Sequence, residues 1–348
     1  MKILNLLIVA ILLSLPTVLL AQSEHTSRVV YTGIYNQVPD NFAYPLIGFI
    51  NHAQGNHKGA QVGFLNMNEQ DFKGSQISFV NTNGGSLDGT QIGFSNTNVD
   101  QIHGVQTGFI NTTAKNLIGT QIGFVNTAVK SSDGAQIGFV NTAGEDLKGT
   151  QIGFVNISPK EVTGAQIAFV NIVKKLNSVQ IGFLNYTDSI GPSAVPIGFL
   201  SIIRKGGYKA LEIGFTETHP INVAFKIGVP KFYTTLNTAF NPDFKNAFAL
   251  GGGFGSVMGL GPILYFNPEV YYINHIGSNK DMARLNLNFG FTLGQKIDLI
   301  VGPSVVWSGT NRPNDFVEPI FNIYKENIDY RNELLLGLNA ALRYNISY

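Results

Sequence analysis

The 348-residue chain contains no cysteine, which excludes a disulfide framework, a thiolate zinc site, a thiol nucleophile and a lipid-modified N-terminal Cys. Charge is scarce. Only 13% of residues are Asp, Glu, Lys or Arg, about half the share usual in soluble domains. The 23 basic residues nearly cancel the 22 acidic ones, leaving a formal net charge of +1, so a nucleic-acid binder driven by bulk charge is excluded. Low charge together with 25 Phe and 13 Tyr argues against a disordered chain. Beyond Leu20 no stretch approaches 18 uninterrupted apolar residues, which excludes a helical membrane protein.

Catalytic motifs are also missing. His25, His52, His57, His103, His219 and His275 show no His-Glu-x-x-His or paired spacing, and there is no Gly-x-Ser-x-Gly elbow. His52 and His57 share one connection and could clamp a metal, but the reading adopted is that of solvated loop histidines. Asp88, Asp100, Asp133, Asp146 and Glu161 occupy variable connections and form no recurring acid and base pair. No catalytic, cofactor-binding or metal-binding residue is expected.

What is present begins with Lys2, an apolar run from Ile3 to Leu20, and a return to polarity after Ala21. This reads as a secretory signal peptide over residues 1–21, so the mature chain is expected to be exported. Residues 22–45 are read as a capping segment.

From residue 46 to about 208 the chain repeats every fifteen residues, in the phrase Gly-x-Gln-Ile-Gly-Phe-Val-Asn. Its clearest copies hold Gln121, Ile122, Phe124 and Asn126; Gln136, Ile137, Phe139 and Asn141; and Gln151, Ile152, Phe154 and Asn156. Degenerate copies follow at Gly182-Phe183-Leu184-Asn185 and Gly198-Phe199-Leu200-Ser201, with spacing drifting to 14 and then 16. Within a copy Thr120, Ile122 and Phe124 share one strand parity and Gln121 and Gly123 the other. The remainder, such as Thr142 to Lys148, is too short for a helix and rich in turn formers.

Identity between all copies has a cause if they stack as coils of a β-solenoid, where each residue rests on its own equivalent. Antiparallel membrane strands would instead have connections of alternating length, which these lack. The solenoid is therefore the expected fold, of eleven or so coils about 4.8 Å apart. One large transmembrane barrel that includes the repeats is the alternative. A second phase, read in fives as in pentapeptide-repeat helices, would turn Phe outward, and an external Phe stripe would need lipid or another protein to cover it. The Asn column is read as an amide ladder that satisfies backbone groups at a bend, the Gln, Ile and Phe columns as parts of the structural repeat ladder, and the Gly columns as sites of bending or close approach.

Over residues 209–348 the period gives way to alternation. Ile221, Val223, Phe225, Ile227 and Val229 alternate with Asn222, Ala224, Lys226 and Gly228, and similar patterns recur to the C-terminus. Strands are expected over about 210–216, 221–229, 232–240, 247–258, 263–273, 283–293, 297–307 and 334–348. Short and long links alternate between them, as in a small antiparallel outer-membrane β-barrel of about eight strands. The last strand carries Leu342, Tyr344, Ile346 and terminal Tyr348 on one parity, which resembles the C-terminal insertion signal of bacterial outer-membrane barrels. Arg312, Asp315, Phe316, Glu318, Lys325 and their neighbours form the longest loop, the best candidate for a partner contact.

The repeats joined to such a tail resemble a family of bacterial surface-repeat proteins of the cell envelope, over roughly Leu46 to Tyr348. Members often show Leu where this chain has Phe64, Phe124 or Phe154. The resemblance implies export and an envelope role, and supplies no catalytic residues. The expectation is a non-enzymatic outer-membrane protein whose barrel anchors and whose rod scaffolds or binds. Expected partners are outer-membrane lipid, the barrel-assembly machinery and an envelope or extracellular protein or glycan, without nucleic acid. A channel or transporter with the repeats as membrane strands, and a polysaccharide-acting β-helix enzyme, are the other classes.

Overall fold

A peptide that repeats at fifteen residues can satisfy its main-chain N–H and C=O groups by bonding each copy to the next in register. The computed structural model, which describes residues 30–242, 248–277, 280–312 and 315–347, has this arrangement. Gln121 pairs with Gln136, Ile122 with Ile137 and Asn126 with Asn141, all parallel. The same pairing runs from Tyr31–Val38 against Leu46–Ala53 to Val179–Ile190 against Val195–Lys205. The chain is thus a parallel β-solenoid of about 12 coils followed by a closed antiparallel barrel of 8 strands. Parallel register removes the alternative in which the repeats are strands of one large barrel. The signal-peptide residues and Tyr348 lie outside the described residues, while Tyr31–Val38, inside the segment expected to cap, is itself the first coil strand.

The second phase of the repeat is the one adopted. Gln and Asn point inward and are fully buried, while Phe124, Phe139 and Phe154 point outward and are nearly half exposed. Apolar filling comes from elsewhere. Phe72, Leu87, Ile102 and Leu117 stack in one buried column, continued past Ser132 by Leu147, Val162 and Leu176. Each of these except Leu176 stands two residues before a repeat glycine, within the stretch that the sequence read only as a connection.

The barrel strands are β1 Tyr208–Thr216, β2 Ile221–Val229, β3 Phe232–Phe240, β4 Phe248–Gly255, β5 Leu264–His275, β6 Lys280–Thr292, β7 Ile297–Thr310 and β8 Asn332–Ser347. Neighbours pair antiparallel, and Leu211 of β1 against Tyr344 of β8 closes the cylinder. The expected strands match these, except that β4 stops at Gly255 and a separate pair, Met258–Gly259, bonds β5. β1 begins and β8 ends at the end that carries the short turns, where the solenoid enters.

The last coil does not hang free. Thr234 Oγ1 on the outer side of β3 donates to Gly198 O at 3.1 Å, and Lys231 Nζ in the β2–β3 turn donates to Pro192 O at 3.4 Å. The barrel wall thereby covers the open edge of the terminal coil, where unpaired backbone groups would otherwise invite further strands.

Candidate functional site

Two side-chain ladders run the length of the rod. Gln136 Nε2 donates to Gln121 Oε1 at 2.8 Å and Gln151 Nε2 to Gln136 Oε1 at 2.7 Å, each toward the preceding coil. Asn126 Nδ2 donates to Asn141 Oδ1 at 2.9 Å and Asn141 Nδ2 to Asn156 Oδ1 at 3.0 Å, each toward the following coil. The same Asn nitrogens also serve main-chain carbonyls, Asn126 that of Ile137 and Asn141 that of Ile152, both at 2.9 Å. A primary amide carries both donors and acceptors, so it is a polar group that can rest on a copy of itself indefinitely. The two ladders donate in opposite directions, so their dipoles oppose.

Glycine makes the stacking possible. At Gly119, with φ +149°, a Cβ would stand 2.0 Å from the Gly104 carbonyl, and at Gly149 1.7 Å from that of Gly134. The second glycine column clears the Asn ladder: a Cβ at Gly138 would meet Asn126 Nδ2 at 2.5 Å. No helix follows these glycines, and their main chain bonds the next coil.

Outside, eleven phenylalanines from Phe49 to Phe199 form one column, successive rings 4.8–5.2 Å apart and within 7° of parallel. Ile122, Ile137 and Ile152 lie beside them, each about 40% exposed. Charges are confined to the connections, where they pair one coil apart, as in Lys115–Asp100 at 2.8 Å and Lys175–Glu161 at 3.1 Å.

His57 corrects the expectation of a solvated loop histidine. It is 2% exposed and occupies the apolar column between Phe42 and Phe72, with Nε2 3.0 Å from Tyr44 O. Burial lowers its pKa below the usual 6.5. His52 lies apart, half-buried, with Nε2 2.7 Å from Glu69 Oε1, so the two do not form a clamp.

The barrel lumen is filled. Lys226 Nζ lies 2.9 Å from Glu212 Oε2 and also bonds Glu269, while Arg343 Nε donates to Glu212 Oε2 at 2.8 Å. Asn267 and Tyr233 complete this lower layer. At the opposite end the β1–β2 link folds inward, and Glu217 takes bonds from Arg284 at 3.0 Å and Ser304 at 2.8 Å. A void of about 30 Å³, room for one water, remains between strands lined by Asn222, Asn237 and Asn286. Gly255 and Gly290 sit where a Cβ would strike the rings of Tyr233 and Tyr265, so small residues admit the large ones.

Strand parity assigns Lys226 to the polar side, and the same alternation places Arg284 and Arg343 there. Most of their acidic partners lie far along the chain, Glu269 from Lys226, Glu217 from Arg284 and Glu212 from Arg343, and were missed. So was the meeting of His219 and His275, whose Nε2 atoms lie 3.0 Å apart. Among the described residues no group of three or more side chains suited to a metal occurs. The longest loop is less open than expected: Phe316 and Val317 turn into the barrel mouth, Val317 against Met282, Val306 and Leu335. Leu342, Tyr344 and Ile346 face outward from β8 and are about half exposed.

No family model, curated protein or solved structure matches this chain.

Proposed function

We propose that the protein is a non-enzymatic component of a bacterial outer membrane, in which the barrel is the anchor and the solenoid a scaffold or binding module. One observation carries the reading. Along the barrel strands the outward side chains are largely apolar and exposed, as at Ile213, Leu285, Leu299 and Leu342, while Lys226, Glu269, Arg284 and Arg343 are inside and paired. A water-soluble barrel has the opposite distribution, and a lipid-facing one has this. The outward Leu342, Tyr344 and Ile346 fit a strand end read by the barrel-assembly machinery, and a lumen filled at two levels fits an anchor better than a pore.

Fractionation of cells and single-channel recording test the reading together. The anchor is expected in the outer-membrane fraction, with no steady conductance from the purified chain in planar bilayers. Recovery in the soluble periplasm overturns the membrane assignment, and steady conductance replaces the anchor by a channel.

A further inference from the structure

The exposed column of phenylalanines has no partner within the chain, and its position relative to the barrel identifies what covers it. In eleven eight-residue segments, from Tyr44–Asn51 to Ala194–Ser201, no Asp, Glu, Lys, Arg or His occurs. With about 150–250 Å² per aromatic side chain and nearly half of each exposed, the eleven phenylalanines alone present on the order of 1,000 Å². A soluble monomer's largest apolar patch is typically about 300–600 Å².

The docking of the last coil orients this face. On the outer side of β2 and β3, Ile227, Val229 and Thr234 are covered, at 8%, 2% and 3% exposure, whereas Val223 and Leu236 farther along the same strands are open. The rod therefore sits against only the turn-proximal part of the barrel's outer wall. Pro192 meets Lys231 in the turn itself, and Gly198 meets Thr234, three residues into β3 and so about 10 Å farther along the strand. Within the coil, the Ile197-Gly198-Phe199 corner is thus nearer the barrel's mid-height than the Pro192 corner. Successive ring centroids stay 4.8–5.2 Å apart, close to the spacing of one coil, so the stripe that starts at the Phe199 corner continues unbroken from coil to coil.

We propose that the Ile and Phe face of the solenoid is seated in the surface of the bilayer that surrounds the barrel, so that the rod runs along the membrane instead of projecting from it. This rests on the barrel being the membrane anchor. A bilayer in contact with the open apolar wall at Val223 and Leu236 meets the corner at Phe199 next, and a second copy would have to approach from the side that lipid already fills. The charged connections, including Lys130, face the opposite way and stay in water.

The single tryptophan, Trp307, separates the two readings, because it faces outward on β7 and belongs to the barrel. The full chain is refolded into phosphatidylcholine vesicles whose acyl chains are brominated. Quenching of Trp307 reports the barrel. In a Trp307→Phe background, Phe124→Trp and, independently, Phe154→Trp report the face, and Lys130→Trp reports the connections. The proposal expects both face positions to be blue-shifted and quenched about twofold or more, since an interfacial apolar face lies about 5–10 Å into the boundary region and within reach of the bromines, with Lys130→Trp unquenched. Quenched Trp307 with both face positions unquenched overturns the proposal and leaves the anchor standing. Blue-shifted but unquenched face positions overturn it in favour of a second copy. Unquenched Trp307 overturns the anchor and the proposal together.

Discussion

Rod and barrel both hide their polar side chains and turn apolar ones outward, yet they fill their interiors differently, with neutral amides in one and ions in the other. The cause is which residues the topology brings together. In a parallel stack every side chain meets its own kind one coil away, so an interior charge would face a like charge at about 4.8 Å along the whole axis. Only groups complementary to themselves survive there: an amide on an amide, a ring on a ring, a glycine under a glycine. Antiparallel closure instead sets unlike residues side by side, so Lys226 finds Glu212 and Glu269, and Arg284 finds Glu217. Charges reappear in the rod only in its solvated connections, where several lysines pair with an acid one coil away.

The comparison breaks most sharply at the buried ions. Arg343→Met leaves the buried carboxylates of Glu212 and Glu269 to share Lys226 alone and is expected to cost the barrel roughly 3–5 kcal/mol, seen as loss of the compact band on unheated gels, while the rod keeps its protease resistance. In the rod the counterpart is Gly149→Val, whose branched side chain has the Gly134 carbonyl in its way; about 3 kcal/mol and protease sensitivity confined to the rod are expected. Asn141→Ala cuts one rung of a ladder and leaves neighbouring amide groups unpaired. A loss of about 1–3 kcal/mol should appear as a lower denaturant midpoint at unchanged slope.

The effect of pH is smaller and belongs to the rod. His57 binds its proton less readily folded than unfolded, so as pH falls below about 6.5 the unfolded chain takes up the proton first and folding weakens; above 6.5 the contribution is fully present. His57→Leu, matching Leu87 in the same column, should flatten this dependence in urea midpoints measured on either side of that pH. Least of all, Lys115→Ala removes an exposed ion pair with Asp100 and should leave the midpoint unchanged.

Much of the architecture is legible in single positions. The period of Gln121, Gln136 and Gln151 implies stacking, because nothing but self-contact requires the same residue in every copy. Alternation from Ile221 to Val229 and from Leu338 to Ile346 marks strands with one apolar side. The Leu87 and Leu147 column was overlooked because one aliphatic residue among turn formers carries no period of its own until the coils are aligned. His57 was misread for the same reason: its burial comes from Phe42 and Phe72 in neighbouring coils.

The sequence by itself determined the repeat, the self-stacking of like residues and the strand parity of the barrel, since these depend on spacing along the chain and on what each side chain can pair with. Only the tertiary structure decided that Phe faces out, that Arg343 meets Glu212, and that the terminal coil rests on the outer wall at Thr234. Those depend on how much room a fifteen-residue coil encloses and on which distant strands the closing of the cylinder makes neighbours.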